Sequence, residues 1–197
     1  LEVDSLGRRM RLLGLKLPRS GRTIELTIDI RLQNFADKIF EGKKGALIVM
    51  NPRSGEILAL VSSPEFDPNI FVDSGNDLAI KKILQDKDKP LLNRAVSAYY
   101  PPGSVFKVVT AATALESGKI NEQTTFNCTG KYFLGKSEFD CWQERGHGQE
   151  NIYNALKDSC NVFFYNTARR ISADDLSGCA LRFGFGRPTG IDIPDEI

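Results

Sequence analysis

Tyr100-Pro101-Pro102-Gly103-Ser104-Val105-Phe106-Lys107 is the stretch on which the fold of this chain turns. Two prolines and a glycine cannot comfortably continue a helix, whereas residues 105–116 (VFKVVTAATALE) have helical spacing and few breakers. A helix is expected over 105–116, with Ser104 at its N-terminus, where free backbone N–H groups and the positive dipole end favour developing negative charge. Lys107 then lies one turn on, on the face of Ser104. A serine hydroxyl is a poor nucleophile until a base takes its proton, and a lysine serves once burial lowers its pKa. The apolar neighbours Phe106, Val108 and Val109 argue for such burial. Read blandly, the same residues are a serine-capped helix with a surface lysine, and a chain of this length holds about one Ser-x-x-Lys by chance.

A second element lies at Asp158-Ser159-Cys160-Asn161, between helical stretches at 152–157 and 162–171. Ser159 offers a hydroxyl that can relay a proton. The Asn161 side-chain amide can bond both a lysine and a substrate carbonyl. Alone, Ser159 and Asn161 read equally well as caps of the following helix.

Together Ser104-x-x-Lys107 and Ser159-x-Asn161 resemble the penicillin-recognising acyl-serine transferases. The run Ala46-Leu47-Ile48-Val49-Met50-Asn51-Pro52-Arg53-Ser54-Gly55-Glu56-Ile57-Leu58-Ala59-Leu60-Val61 resembles the first hairpin of a transpeptidase domain. Pro64-Glu65-Phe66-Asp67-Pro68-Asn69-Ile70-Phe71 and Pro90-Leu91-Leu92-Asn93-Arg94-Ala95 are similar to stretches of class B penicillin-binding proteins, in particular the penicillin-binding protein 2 branch that acts in cell elongation. The resemblance implies an α/β (α+β) penicillin-binding, transpeptidase-like fold: a central antiparallel sheet, incomplete here, with a helical lobe. It implies a serine-type acyltransferase, a D,D-transpeptidase. Ser104 would attack the D-Ala-D-Ala carbonyl of a stem peptide and Lys107 would take the Ser104 proton. Ser159 would deliver a proton to the leaving amine, and Asn161 would orient the substrate amide. Peptidoglycan stem peptides, β-lactams, a membrane glycosyltransferase and elongation-complex proteins are the implied partners. The implied location is the periplasmic side of the bacterial inner membrane, behind an N-terminal transmembrane anchor. Acyl transfer itself needs no cofactor.

The family's third motif, Lys-Thr-Gly on a strand beside the nucleophile, does not occur; Thr189-Gly190 follows Pro188. The chain is therefore read as a C-terminally incomplete transpeptidase domain of low activity, because one lost oxyanion donor costs roughly a hundredfold or more. Two other readings stand beside the transpeptidase. A serine β-lactamase would need a water-activating group that the sequence does not identify. A β-lactam-binding sensor or scaffold module would bind without turnover.

The remaining composition sets bounds. The 197 residues are 41% hydrophobic, enough for a sizeable core, and the net charge of +1 gives no case for nucleic acid. No run approaches the about 18 apolar residues of a membrane span. Residues 1–22 are basic and turn-rich and read as a linker, the tail of the family's non-catalytic pedestal, leaving 23–197 as the transpeptidase part. Within it, 23–27 alternates like a strand and 30–40 has helical spacing behind Asp29 as N-cap. Residues 47–61 read as two strands about a turn at 52–55, and 62–90 as a long surface excursion.

Cys128, Cys141, His147 and Cys160 put three of the four cysteines and the sole histidine into 33 residues. Cys3His is a ligand set for structural zinc, with Asp140 as an alternate oxygen ligand. Two alternatives stay open: a disulfide such as Cys128–Cys141, or four small buried residues. Trp142-Gln143-Glu144-Arg145-Gly146-His147-Gly148 resembles a Trp-x-x-x-Gly-His-Gly stretch of the same branch, where metal ligation near the active site is implied. Cys179 reads as a helix-packing residue.

Overall fold

The structure, a computed structural model, describes residues 2–3, 5–11, 21–72 and 75–197. The chain divides into two compact units, Leu1–Leu91 and Leu92–Ile197.

In the first unit, β1 (Glu2–Val3) pairs antiparallel with β2 (Arg9–Arg11), so part of the expected linker forms a short ribbon. Residues 12–20, which carry the rest of that expectation, lie outside the described residues. Helix α1 (Ile30–Phe40) begins where the sequence places it: Asp29 accepts hydrogen bonds from the Arg31 and Leu32 N–H groups at 2.9 and 3.4 Å. Leu32, Ala36 and Phe40, four residues apart, form its apolar stripe and pack with Leu47, Val49, Ala59 and Val61 of the hairpin β3 (Gly45–Met50) and β4 (Ile57–Ser63). The Gln33 side-chain amide donates to Leu60 O at 3.1 Å and accepts from Leu60 N at 2.8 Å, pairing with the strand as another backbone would. The strand expected at 23–27 does not form. Ile24 and Leu26 are exposed, no ladder among the described residues includes them, and alternation makes a strand only beside a partner edge. The excursion after β4 is more regular than expected, containing a 3₁₀ turn (Pro68–Phe71) and α2 (Asp77–Gln85).

The second unit is built on α3 (Lys107–Glu116), entered through a 3₁₀ turn at Gly103–Phe106. Val109, Thr110, Ala111, Thr113 and Ala114 of α3 are buried, and Thr113 Oγ1 donates to Val109 O at 2.8 Å, so the hydroxyl enters the core satisfied. Two ribbons follow: β5 (Phe126–Cys128) with β8 (Gly148–Glu150), and inside it in sequence β6 (Lys131–Leu134) with β7 (Ser137–Asp140). Then come α4 (Ile152–Lys157), α5 (Asn161–Ala168) and α6 (Ala173–Arg182), the last closed at its start by a Ser172–Asp175 capping box. Helix α3 packs against α5 and α6. Phe163 is fully buried, a burial that contributes roughly 1.5–3 kcal/mol, and meets Phe126 edge-on at 5.1 Å. Cys179 is buried in α6 with its sulfur 3.9 Å from Val109 O, the helix-packing place expected of it.

Candidate active site

Ser104 sits in the 3₁₀ turn ahead of α3, so the regular helix starts two residues later than the apolar run suggests. Gly103 carries φ +57°, a conformation that a residue with Cβ adopts at a cost, and this bend presents Ser104 on the surface. Lys107, the first residue of α3, is half-buried. Its cover is not what the sequence suggested: Val108 is 52% exposed, and the ammonium instead lies 5.5 Å from the centre of the Phe164 ring of α5. Burial holds the Lys107 pKa below its ordinary 10.5, against a smaller upward pull from Cys141 and Cys160.

The second element arrives from the α4–α5 junction. Ser159 has φ +51°, left-handed for a residue that is not glycine. Cys160, rather than Ser159 or Asn161, is the N-cap of α5, its sulfur accepting from Phe163 N at 3.5 Å. The junction turns three acceptors toward the lysine. Lys107 Nζ donates to Ser159 O at 2.7 Å, Ser159 Oγ at 3.0 Å and Asn161 Oδ1 at 2.7 Å. Ser159 Oγ is hydrogen-bonded to Ser104 Oγ at 2.9 Å. The hydrogen-bonded path from Lys107 to Ser104 therefore runs through Ser159. The Asn161 amide N–H₂ donates to Asp140 O at 3.2 Å, which fixes its orientation.

All four residues of the cysteine–histidine group also meet. The ligand atoms of Cys128, Cys141, His147 and Cys160 lie within 4.8 Å of one another, and His147 Nδ1 is 3.6 Å from the sulfurs of both Cys128 and Cys141. A tetrahedral zinc with ordinary Zn–S and Zn–N bonds sets sulfur and nitrogen about 3.6 Å apart. The four cysteines are free thiols, so the Cys128–Cys141 disulfide is not formed. The other alternative, small buried residues, fits the burial of all four cysteines, Cys128, Cys141 and Cys160 within the core cluster and Cys179 in α6. Asp140 stays outside the group, with an exposed side chain; it serves the site through its carbonyl. Burial pushes the Cys160 thiol up to about 12. Burial also pushes Cys141 up, but backbone N–H groups of Gln143, Asn161 and Val162 aimed at its sulfur outweigh this and hold it below its usual value. Those last two belong to the N-terminal turn of α5, where an anion is favoured. Trp142 ties the group to the junction: its Nε1 donates to Asp158 O at 2.9 Å and its ring meets His147 at 5.2 Å. Two participants went unread in the sequence. Phe164 is one apolar residue among several, and the buried Glu150 carries no motif.

Known proteins resemble this chain in sequence and fold. The penicillin binding protein transpeptidase domain matches residues 45–197, and the chain belongs to that family. It is 39% identical over its whole length to the peptidoglycan D,D-transpeptidase MrdA of Escherichia coli K12, covering 31% of that protein. Among solved structures, penicillin-binding protein 2 (PBP2) of Helicobacter pylori, known alone and in complex with MreC, is similar with a TM-score of 0.86 and 39% identity. The match covers all of this chain and 37% of that one. Penicillin-binding protein A of Mycobacterium tuberculosis, solved as a penicillin G acyl-enzyme, is similar at a TM-score of 0.75 and 33% identity, over 82% of this chain and 40% of that one. The chain thus spans about a third of the length of the curated relatives it matches. Among the described residues no helix is long and apolar enough to cross a membrane.

Proposed function

We propose that this chain carries the acylation half-site of a peptidoglycan D,D-transpeptidase. The carrying observation is the unbroken hydrogen-bonded line Lys107–Ser159–Ser104, flanked by Asn161. Ser104 Oγ is the nucleophile toward the penultimate D-Ala carbonyl of a stem peptide, or toward a β-lactam ring. As the C–O bond forms, the Ser104 proton passes to Ser159 Oγ, and the Ser159 proton passes to the neutral lysine amine. Burial of Lys107 makes that neutral form more accessible than in free lysine. The reverse passage hands a proton to the departing D-Ala amine. Asn161, held by Asp140 O and Lys107, orients the substrate amide. A second stem amine resolves the acyl-enzyme. The similarity to MrdA and PBP2 supports an elongation role beside a glycosyltransferase and MreC-like partners, on the periplasmic face of the inner membrane. Intact mass after incubation with benzylpenicillin tests the nucleophile. One adduct per chain is expected, absent in Ser104→Ala; an adduct that survives in the variant overturns the assignment.

We further infer that Cys128, Cys141, His147 and Cys160 hold a structural zinc. The four convergent donors, the sulfur–nitrogen spacing and the N–H groups around Cys141 support it. When bound, zinc would cross-link the ribbons to the α4–α5 junction, and its ligand Cys160 lies between Ser159 and Asn161. Protein purified without chelator or added metal should contain one zinc per chain. Cys160→Ser should lose it and acylate more slowly. Absence of stoichiometric metal in the unaltered protein defeats this reading.

A further inference from the structure

His147 Nδ1 is the ring nitrogen that faces the Cys128 and Cys141 sulfurs; Nε2 is buried without a hydrogen-bond partner among the described residues. A histidine that gives Nδ1 to a metal carries its proton on Nε2, and an unpaired buried N–H is costly. Two other buried side-chain oxygens lack a partner among the described residues, Tyr132 Oη and Glu150 Oε2, and of these the carboxylate is the stronger acceptor. Glu150 is 3% exposed, and its Oε2 is buried without a partner.

The ribbon explains why the two are neighbours. Cys128 of β5 stands opposite Gly148 of β8, and Phe126 opposite Glu150. Residues two apart on a strand share a face, so Glu150 projects to the same side as Cys128, diagonal to it, while His147 immediately precedes β8. Burial, and then the Asp158 charge, hold the Glu150 carboxyl above its ordinary value against smaller downward pulls from His147 and Lys157. Lys157 is mostly exposed and is already paired with Asp158 at 3.5 Å.

We propose that Glu150 is a positioning residue for this centre: its carboxylate, not bonded to His147 in this structure, turns to accept the Nε2–H when the centre is loaded and thereby fixes Nδ1 as the metal-facing nitrogen. The proposal rests on the zinc reading above. Histidine ligands ordinarily give their second N–H to a carboxylate or carbonyl, and losing that partner costs about 10–100-fold in metal affinity. Glu150→Gln keeps the shape, removes the charge and weakens the acceptor.

The test uses the intact protein with zinc alone as probe. Chelator competition should show Glu150→Gln binding about 10–100-fold more weakly than the unaltered protein. In the zinc-loaded unaltered protein, nitrogen-15 spectra of His147 should show the proton on Nε2, exchanging slowly with water; the variant should shift that proton and speed its exchange. Unchanged affinity together with an unmoved proton overturns the role of Glu150 while leaving the zinc site standing. No zinc uptake by the unaltered protein overturns the zinc reading and this inference with it. If Glu150→Gln fails to fold, the unaltered protein still decides: a proton on Nδ1, or a freely exchanging Nε2–H, overturns the proposal.

Discussion

Ser159→Ala separates a relay from a direct proton transfer. The substitution removes one oxygen, the atom that both Lys107 Nζ (3.0 Å) and Ser104 Oγ (2.9 Å) touch in the path between them. Lys107 keeps two acceptors, Ser159 O and Asn161 Oδ1, each at 2.7 Å, so the ammonium stays in place. A lost hydrogen bond to a charged group is worth at most about 3 kcal/mol, roughly a 150-fold slower reaction if all of it appears in the barrier. General acid–base catalysis contributes about 10²–10⁴. A relay through Ser159 therefore predicts a fall in the second-order acylation rate well beyond 150-fold, toward the upper end of that range. The assay is the rate of fluorescent-penicillin labelling, with Ser104→Ala as the blank and a melting curve to show that the fold persists. A folded variant that acylates within about 150-fold of the unaltered protein refutes the relay, because a single hydrogen bond then explains the loss.

Three further outcomes can be measured. On the proposed role Lys107 acts when neutral, and burial lowers its pKa, so acylation should rise with pH through a midpoint below 10.5; a midpoint at or above that value contradicts the base assignment. The linked effect on stability has a definite sign: the folded state binds fewer protons than the unfolded one between the lowered pKa and 10.5, so the lysine contribution to stability increases with pH across that window, as denaturant titrations would show. Gly146 has φ +78°, and a Cβ there would stand 2.0 Å from the Cys128 carbonyl, whereas Gly135, at φ +61°, has open space around it. Gly146→Ala should therefore destabilise by several kcal/mol and loosen metal binding, while Gly135→Ala should cost about 1–2 kcal/mol; equal melting points for the two would show the Cys128 loop to be pliant.

What the sequence made legible was local and periodic. The α1 stripe and its Asp29 cap, the hairpin about residues 52–55 and the helix at 152–157 each follow from spacing within one element. The pairs Ser104/Lys107 and Ser159/Asn161 were legible as motifs, and the cysteine–histidine window as composition. The features that needed coordinates depend on contacts far apart in sequence. Phe164 rather than Val108 shields Lys107, and Asp140 contributes a carbonyl instead of a carboxylate. The alternation at 23–27 misled because pairing is a property of two strands, and Ile24 and Leu26 alternate beside none.

The backbone at Ser159 shows stability and chemistry pulling apart at one residue. Helix α4 ends in a Schellman motif: Cys160 N–H donates to Ala155 O at 2.9 Å and Ser159 N–H to Leu156 O at 3.3 Å, around the left-handed Ser159. Glycine is the residue such a position favours, because a side chain there costs about 1–2 kcal/mol. A serine in its place keeps a strained residue whose hydroxyl and carbonyl both meet Lys107. The next residue, Cys160, closes the motif, caps α5 and joins the cysteine–histidine group, so a bound metal would hold the strained turn from its far side. Ser159→Gly should consequently raise the melting temperature relative to Ser159→Ala while acylating as poorly, since both lack the hydroxyl. A glycine variant that melts no higher than the alanine variant would show that the turn is unstrained and that nothing is held in place against a local preference.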